Sequence, residues 1–143
     1  MQKDGLRRLI NRERTVDLFL ELVQIDSVSK EERKLADRII GMAGSLNLDI
    51  REDGTAEKIG GDAGNLIISV PGDEGQAAIL LSAHLDRVEP GRGIKPVIKG
   101  EYIESSGDTI LGADDLIGVT AIMEAVRIIK ENQLEHRPTK IIF

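Results

Sequence analysis

The stretch AAILLSA, residues 77–83, is almost entirely apolar and is followed directly by His84, Leu85 and Asp86. A short apolar run of this kind is typical of a strand that is covered on both faces. Ligands of α/β sheets bind at the carboxyl ends of the strands. Because residues two apart point to the same side of an extended chain, His84 and Asp86 are predicted to share one side of the chain just past this strand.

Helical and extended patterns around this strand predict an α/β layered domain with a mixed sheet. Apolar residues recur at helical spacing over residues 16–23 and again over residues 35–46. Ser29 and Glu32 form a capping-box pattern ahead of the second of these helices. The other predicted elements are strands at residues 48–51, 65–70 and 139–143, a polar loop at 52–64, a hairpin at 95–103 and a helix at 115–132.

The composition excludes several classes of function. The chain has 143 residues, of which 41% are hydrophobic and 31% charged, as expected for one globular domain. A net charge of −6 disfavours nucleic acid as a partner. The absence of cysteine excludes thiol nucleophiles and cysteine-ligated zinc. The charged N-terminus lacks a signal-peptide core, and the longest apolar run, residues 77–81, is too short for a membrane span. A cytoplasmic protein with no membrane partner is expected.

The His-x-Asp pattern at residues 84–86 has two interpretations. Asp86 can accept the second ring N–H of His84, which fixes the tautomer of an imidazole that binds a metal. Taken alone, the pattern fits a structural histidine at the end of a strand more often than a metal ligand. His136, the other histidine, lies in a polar turn and is predicted to be a solvated loop residue.

The last predicted helix begins at an aspartate pair, Asp114 and Asp115. One aspartate is enough to cap a helix N-terminus by accepting backbone N–H groups. A second, adjacent aspartate adds like-charge repulsion that a cation would relieve, which favours metal ligation. A polar stripe predicts one solvated edge on this otherwise apolar helix; it consists of Thr120, Glu124, Arg127 and Glu131.

Six segments together resemble the dinuclear-zinc exopeptidases, the family of peptidase T, glutamate carboxypeptidase and the aminoacylases. The segments are residues 24–32 (QIDSVSKEE), 64–67 (GNLI), 82–88 (SAHLDRV), 88–91 (VEPG), 93–96 (GIKP) and 109–115 (TILGADD). The last three are closest to the peptidase T-like branch. The resemblance implies a three-layer αβα domain with a mixed sheet, of which residues 1–143 are the N-terminal portion.

The resemblance also implies a role for each matching residue. His84 would ligate one zinc ion and Asp114 would bridge two, while Asp86, as a catalytic residue, would orient His84. The bond between Asp114 and Asp115 would be a cis peptide. A glutamate pair that follows the last strand in the family, further zinc ligands and an inserted dimerisation domain lie outside this sequence, so the chain is expected to be an inactive fragment of a longer protein that forms a homodimer.

The function implied is that of a tripeptidase or aminopeptidase that hydrolyses short peptides with zinc-activated water. Two alternatives stay open: an amidohydrolase for acylated amino acids, and a non-catalytic module that retains the fold. Two positions depart from the family pattern. Arg87 stands where threonine is usual and would either contact a substrate carboxylate or point into solvent, and Leu116 stands where lysine is frequent.

Overall fold

The central strand of the sheet is formed by the last residues of the chain. In a computed structural model, which describes residues 3–143, the strand β6 lies between β2 and β3, and the sheet order is β1-β2-β6-β3. The helices are α1 (Lys3–Arg7), α2 (Arg12–Val23), α3 (Arg33–Ser45), α4 (Thr55–Ile59) and α5 (Ala113–Asn132). The strands are β1 (Asp49–Glu52), β2 (Leu66–Val70), β3 (Ile79–Ser82), β4 (Pro96–Lys99), β5 (Tyr102–Ser105) and β6 (Thr139–Ile142).

The sheet is mixed, as the sequence predicts. Strand β2 runs antiparallel to both β1 and β6, whereas β3 runs parallel to β6. Strands β4 and β5 form a separate hairpin, which confirms the hairpin predicted at residues 95–103. The parallel pairing is important for the site, because it directs the carboxyl ends of β3 and β6 to the same edge of the sheet.

One face of the sheet carries the core. Ile68 of β2 is paired with Ile141 of β6, and both are fully buried. Helices α2, α3 and α5 supply the fully buried apolar side chains in the same core cluster, among them Leu22, Leu35, Ile39, Leu116 and Met123. The spacing of these residues matches the helical periods of the sequence, since residues three or four apart share one face of a helix.

The opposite face of the sheet is more open among the described residues. Ser69, Lys140 and Leu80 occupy equivalent positions on it, and the Lys140 ammonium donates to the Ser69 hydroxyl at 2.5 Å. Leu80 is 62% exposed. The prediction that β3 is covered on both faces is therefore wrong for this chain. An apolar run indicates that a strand is suited to burial on both faces, but whether a second layer covers each face depends on the rest of the fold.

The predicted solvated stripe on α5 is also wrong in part. Thr120 and Glu124 are buried, whereas Ile117 is 61% exposed. Arg14 of α2 forms an ion pair with Glu124 and a second one, at 2.9 Å, with Glu131. A cation on the neighbouring helix thus satisfies a carboxylate that periodicity alone assigns to solvent.

The start of α3 differs from the predicted capping box. The helix begins at Arg33, and its N-cap residue, Glu32, makes no hydrogen bond from its side chain to the helix. The Arg33 N–H instead donates to the Asp62 carboxylate at 2.9 Å. Asp62 follows the short helix α4, which forms inside the segment predicted to be a loop. The Ser29 hydroxyl is therefore not required for capping.

None of the helices that the structure describes combines the length and the apolar character needed to cross a membrane.

The arrangement of the sheet predicts that two substitutions of large apolar residues by alanine change the free energy of unfolding by unequal amounts. Ile141→Ala removes a fully buried side chain from the central strand, so we expect the free energy of unfolding to fall by about 2–5 kcal/mol. Leu80→Ala removes an exposed side chain from the neighbouring strand and should cost less than about 1 kcal/mol. Chemical denaturation measures both. Equal losses would contradict the exposure of the sheet face on which Leu80 lies.

Candidate metal centre

His84 lies just past the end of β3, with about half of its side chain exposed. The Nδ1 atom of its ring is 2.9 Å from the backbone carbonyl oxygen of Asp86 and 3.1 Å from the Asp86 carboxylate. The Nε2 atom is 3.2 Å from the carboxylate of Asp114. The structure therefore brings together the three residues that the sequence singles out, on one edge of the sheet.

The two aspartates at the start of α5 have different surroundings. The Asp115 carboxylate accepts the backbone N–H of Gly118 at 3.1 Å and so caps the helix. The Asp114 carboxylate is 97% exposed, and His84 is the partner that the structure gives it. The bond between the two residues is a cis peptide, as the family resemblance implies. One aspartate thus serves the helix and leaves the other available to a ligand.

The charges around His84 favour its protonated form. Burial lowers the pKa of the imidazole, but hydrogen bonds to the Asp86 backbone and to the Asp114 carboxylate outweigh this effect, and the pKa is raised. A metal ion needs the lone pair of a neutral ring. Binding of a metal at Nε2 would therefore compete with protonation of His84.

The segment that carries Asp86 is tied to the loop that follows α2. The Arg87 N–H donates to the Ser27 carbonyl at 3.0 Å, and the Ser29 N–H donates to the Arg87 carbonyl at 3.3 Å. These bonds form a parallel bridge between Val28 and Arg87. The buried Ser27 hydroxyl donates to the Leu85 carbonyl at 2.9 Å. The position of the His-x-Asp segment is thus fixed by a loop more than fifty residues earlier in the chain.

A side-chain contact strengthens this connection. The Ser29 hydroxyl donates to the Asp86 carboxylate at 2.6 Å. The carboxylate of Asp86 is therefore held from one side by Ser29 and contacts His84 on the other. The capping-box pattern of Ser29 does not predict this contact, because Asp86 is distant in sequence and approaches Ser29 only when the two segments pair.

A cavity of about 480 Å³ lies beside His84. Among its lining residues are Asn65 before β2, Ser82 at the end of β3 and Asp115 at the start of α5. The volume is within the usual range of about 300–1,000 Å³ for small-molecule sites. The carboxyl ends of β3 and β6 thus border a space next to the candidate ligands.

The donor set fits part of a zinc site. An imidazole nitrogen and a carboxylate oxygen are both common zinc ligands, and a carboxylate behind the imidazole is the usual partner of its second ring nitrogen. A catalytic zinc site needs three protein ligands and a water molecule. Within residues 3–143, no group of three or more His, Cys, Asp or Glu side chains is arranged to hold a metal ion. His84 and Asp114 would therefore be two ligands of a larger set.

Comparison with known proteins finds relatives that match almost the whole of this chain. No family model matches it. It is 40% identical to the uncharacterized protein YqjE of Bacillus subtilis, over 94% of this chain and 36% of that protein. It also matches the crystal structure of aminopeptidase PepT from Bacillus cereus, with a TM-score of 0.90 and 42% identity over the same shares of the two chains. A tripeptidase from Staphylococcus aureus gives a TM-score of 0.89 and 36% identity.

In sequence and in fold, the chain resembles an N-terminal portion of a peptidase T-like protein. It spans about a third of the length of the relatives that it matches. The match confirms the mixed α/β fold that the sequence predicts.

Arg87 has neither of the two roles expected for it. The side chain is fully buried. Its guanidinium donates to the Val23 carbonyl at 2.7 Å and to the Ile25 carbonyl, and the Asp26 carboxylate is 4.0 Å away. Both earlier interpretations, contact with a substrate and orientation into solvent, are therefore corrected: the cation satisfies carbonyl groups at the end of α2.

The other side of Arg87 packs against the loop that leads to Asp114. A Cβ atom on Gly112 would lie 3.0 Å from a guanidinium nitrogen of Arg87, and the φ of Gly112 is +73°, so only glycine fits this position without strain. Arg87 thus lies between the end of α2 and the start of α5. Leu116, the second departure from the family pattern, is fully buried in the core.

Removal of the Arg87 side chain should destabilise the chain. Arg87→Ala leaves two carbonyl groups without their donor and opens a space under Gly112, so we expect the free energy of unfolding to fall by on the order of 3 kcal/mol. The matched control is Arg92→Ala, which removes an exposed arginine that pairs with Glu31 and Glu89 and should have little effect. Chemical denaturation measures both variants. Equal losses in the free energy of unfolding would contradict the structural role of Arg87.

Proposed function

We propose that this chain supplies part of the metal centre of a zinc-dependent exopeptidase that hydrolyses short peptides. The observation that carries the proposal is the distance of 3.2 Å between the His84 Nε2 atom and the Asp114 carboxylate. Asp86 lies behind the ring, and a cavity opens beside it. The relatives named as an aminopeptidase and a tripeptidase support the choice of substrate class.

The two candidate ligands would hold zinc through one nitrogen and one carboxylate. His84 would bind one ion, and Asp114 would bridge it to a second, as the family resemblance implies. When bound, zinc would lower the pKa of a water molecule to about 7, which would provide a nucleophile at neutral pH. The remaining ligands and the general base would come from polypeptide that the relatives have in addition to the segment matched here.

The residues of this chain would do three things in that site. Asp86 would keep the hydrogen of the imidazole on Nδ1, so that the lone pair of Nε2 is available to the ion that Asp114 would share. Asp115 would hold the start of α5, and with it the position of Asp114, by accepting the Gly118 N–H. The cavity beside His84 would admit a short peptide, since its volume is that of a small-molecule site.

A chimeric enzyme tests this proposal. In the chimera, residues 3–143 replace the matching portion of the Bacillus cereus aminopeptidase, to which they are 42% identical. We expect the zinc-loaded chimera to hydrolyse short peptides and His84→Ala to abolish turnover. Asp86→Asn should reduce metal affinity or turnover about 10- to 100-fold, because the imidazole loses its ionised partner.

The controls separate this function from the two alternatives. The 143-residue chain alone, with zinc, cobalt or manganese added, should show no turnover, because two ligands do not complete a catalytic site. A chimera that folds and binds zinc but hydrolyses neither peptides nor N-acyl amino acids would indicate a non-catalytic module. Turnover of N-acyl amino acids alone would indicate an amidohydrolase. Turnover by the isolated chain that depends on His84 would contradict the claim that this chain holds only part of the catalytic site.

A further inference from the structure

Ser29 makes a contact that neither the fold nor the capping of a helix explains. Its hydroxyl donates to one oxygen of the Asp86 carboxylate at 2.6 Å. The other oxygen of the same carboxylate is 3.1 Å from Nδ1 of His84. Ser29, Asp86, His84 and Asp114 therefore form a continuous series of polar contacts that ends at the exposed carboxylate.

The helix that follows Ser29 does not need this hydroxyl. The Lys30 N–H donates to the Glu32 carboxylate at 2.6 Å, and the Arg33 N–H donates to the Asp62 carboxylate at 2.9 Å. Both groups near the start of α3 thus have other partners. The side-chain contact that the structure gives the Ser29 hydroxyl is the one with Asp86.

The Asp86 carboxylate has freedom that this contact would remove. Its side chain is 40% exposed. The terminal torsion of an aspartate has a broad and shallow preference, so an exposed carboxylate can turn toward water at little cost. The backbone around it is fixed by the bridge between Val28 and Arg87, but that bridge does not determine where the carboxylate points.

We propose that Ser29 is a positioning residue for the metal centre. Its hydroxyl holds the Asp86 carboxylate against Nδ1 of His84, which favours the ring hydrogen on Nδ1 and leaves Nε2, on the side of Asp114, available to a metal ion. This inference deepens the proposed function and rests on it for its biological meaning. The arrangement itself is a property of the metal-free chain.

The expected effect has a definite size. The Asp86 backbone carbonyl, at 2.9 Å from Nδ1, also favours the Nδ1–H tautomer, whereas the Asp114 carboxylate, at 3.2 Å from Nε2, favours the other one; both remain when Ser29 is replaced. Ser29→Ala should therefore weaken the preference rather than reverse it. Loss of one hydrogen bond of ordinary net strength changes an equilibrium about fivefold, and we expect a change of this size in the tautomer ratio of His84.

Nitrogen-15 NMR of the histidine rings measures the ratio directly, at a pH at which the rings are neutral. The chain has two histidines, so His136 serves as an internal reference in every spectrum. Ser29→Ala should shift the His84 ratio away from Nδ1–H, and Ser29→Thr, which retains a hydroxyl, should restore it. The control is Ser27→Ala, which removes a hydroxyl of the same loop that bonds to the Leu85 carbonyl and not to Asp86. No shift is expected, because the backbone bridge between Val28 and Arg87 remains.

The outcomes distinguish this inference from the proposed function. An unchanged His84 ratio in Ser29→Ala would overturn the positioning role, whatever the chimeric enzyme does. An equal shift in Ser27→Ala would also overturn it, because the effect would then arise from the pairing of the loop and not from the Ser29 hydroxyl. A shift in Ser29→Ala alone supports the inference even if the chimera is inactive, since the measurement needs neither metal nor substrate.

Discussion

The site depends on the hydrogen bonds that join the loop after α2 to the segment after β3. Parallel pairing between β3 and β6 brings the chain to the edge of the sheet, but His84 and Asp86 lie beyond the last paired residue of β3. The bridge between Val28 and Arg87 extends the order of the sheet past that point. Without it, the His-x-Asp segment would be a loop with no fixed orientation toward Asp114.

Arg87 and Ser29 contribute in different ways to this junction between the loop after α2 and the segment after β3. The guanidinium of Arg87 is directed into the protein, where it binds carbonyl groups at the end of α2 and packs under Gly112. The hydroxyl of Ser29 is directed to the surface, where it binds the Asp86 carboxylate. One residue therefore supports the backbone of both candidate ligands, and the other supports the orientation of a single imidazole. A buried cation is costly to leave without partners, so this junction is also expected to govern stability.

The family resemblance, and not local chemistry alone, locates the centre of the site. Taken alone, His84 fits a structural histidine more often than a metal ligand. The match of both motifs to one family implies that His84 and Asp114 meet, and they lie 3.2 Å apart. The contacts that depend on distant segments were not predictable. Ser29 matched a local capping pattern, Arg87 looked like a surface cation, and Glu124 followed a polar stripe, yet each has its main partner more than fifty residues away. The roles of His84 and Asp114 as metal ligands, and of Asp86 and Ser29 as positioning residues, stay predictions.

Titration of the nitrogen-15-labelled chain with cobalt, a paramagnetic substitute for zinc, tests the central claim that His84 and Asp114 share a metal ion. Paramagnetic broadening reports distance from the ion even when binding is weak. We expect the ring signals of His84 and the amide signals of residues 112–116 to broaden first and together, and His84→Ala to remove the effect. Broadening centred on His136, or on Asp114 with His84 unaffected, would contradict the account.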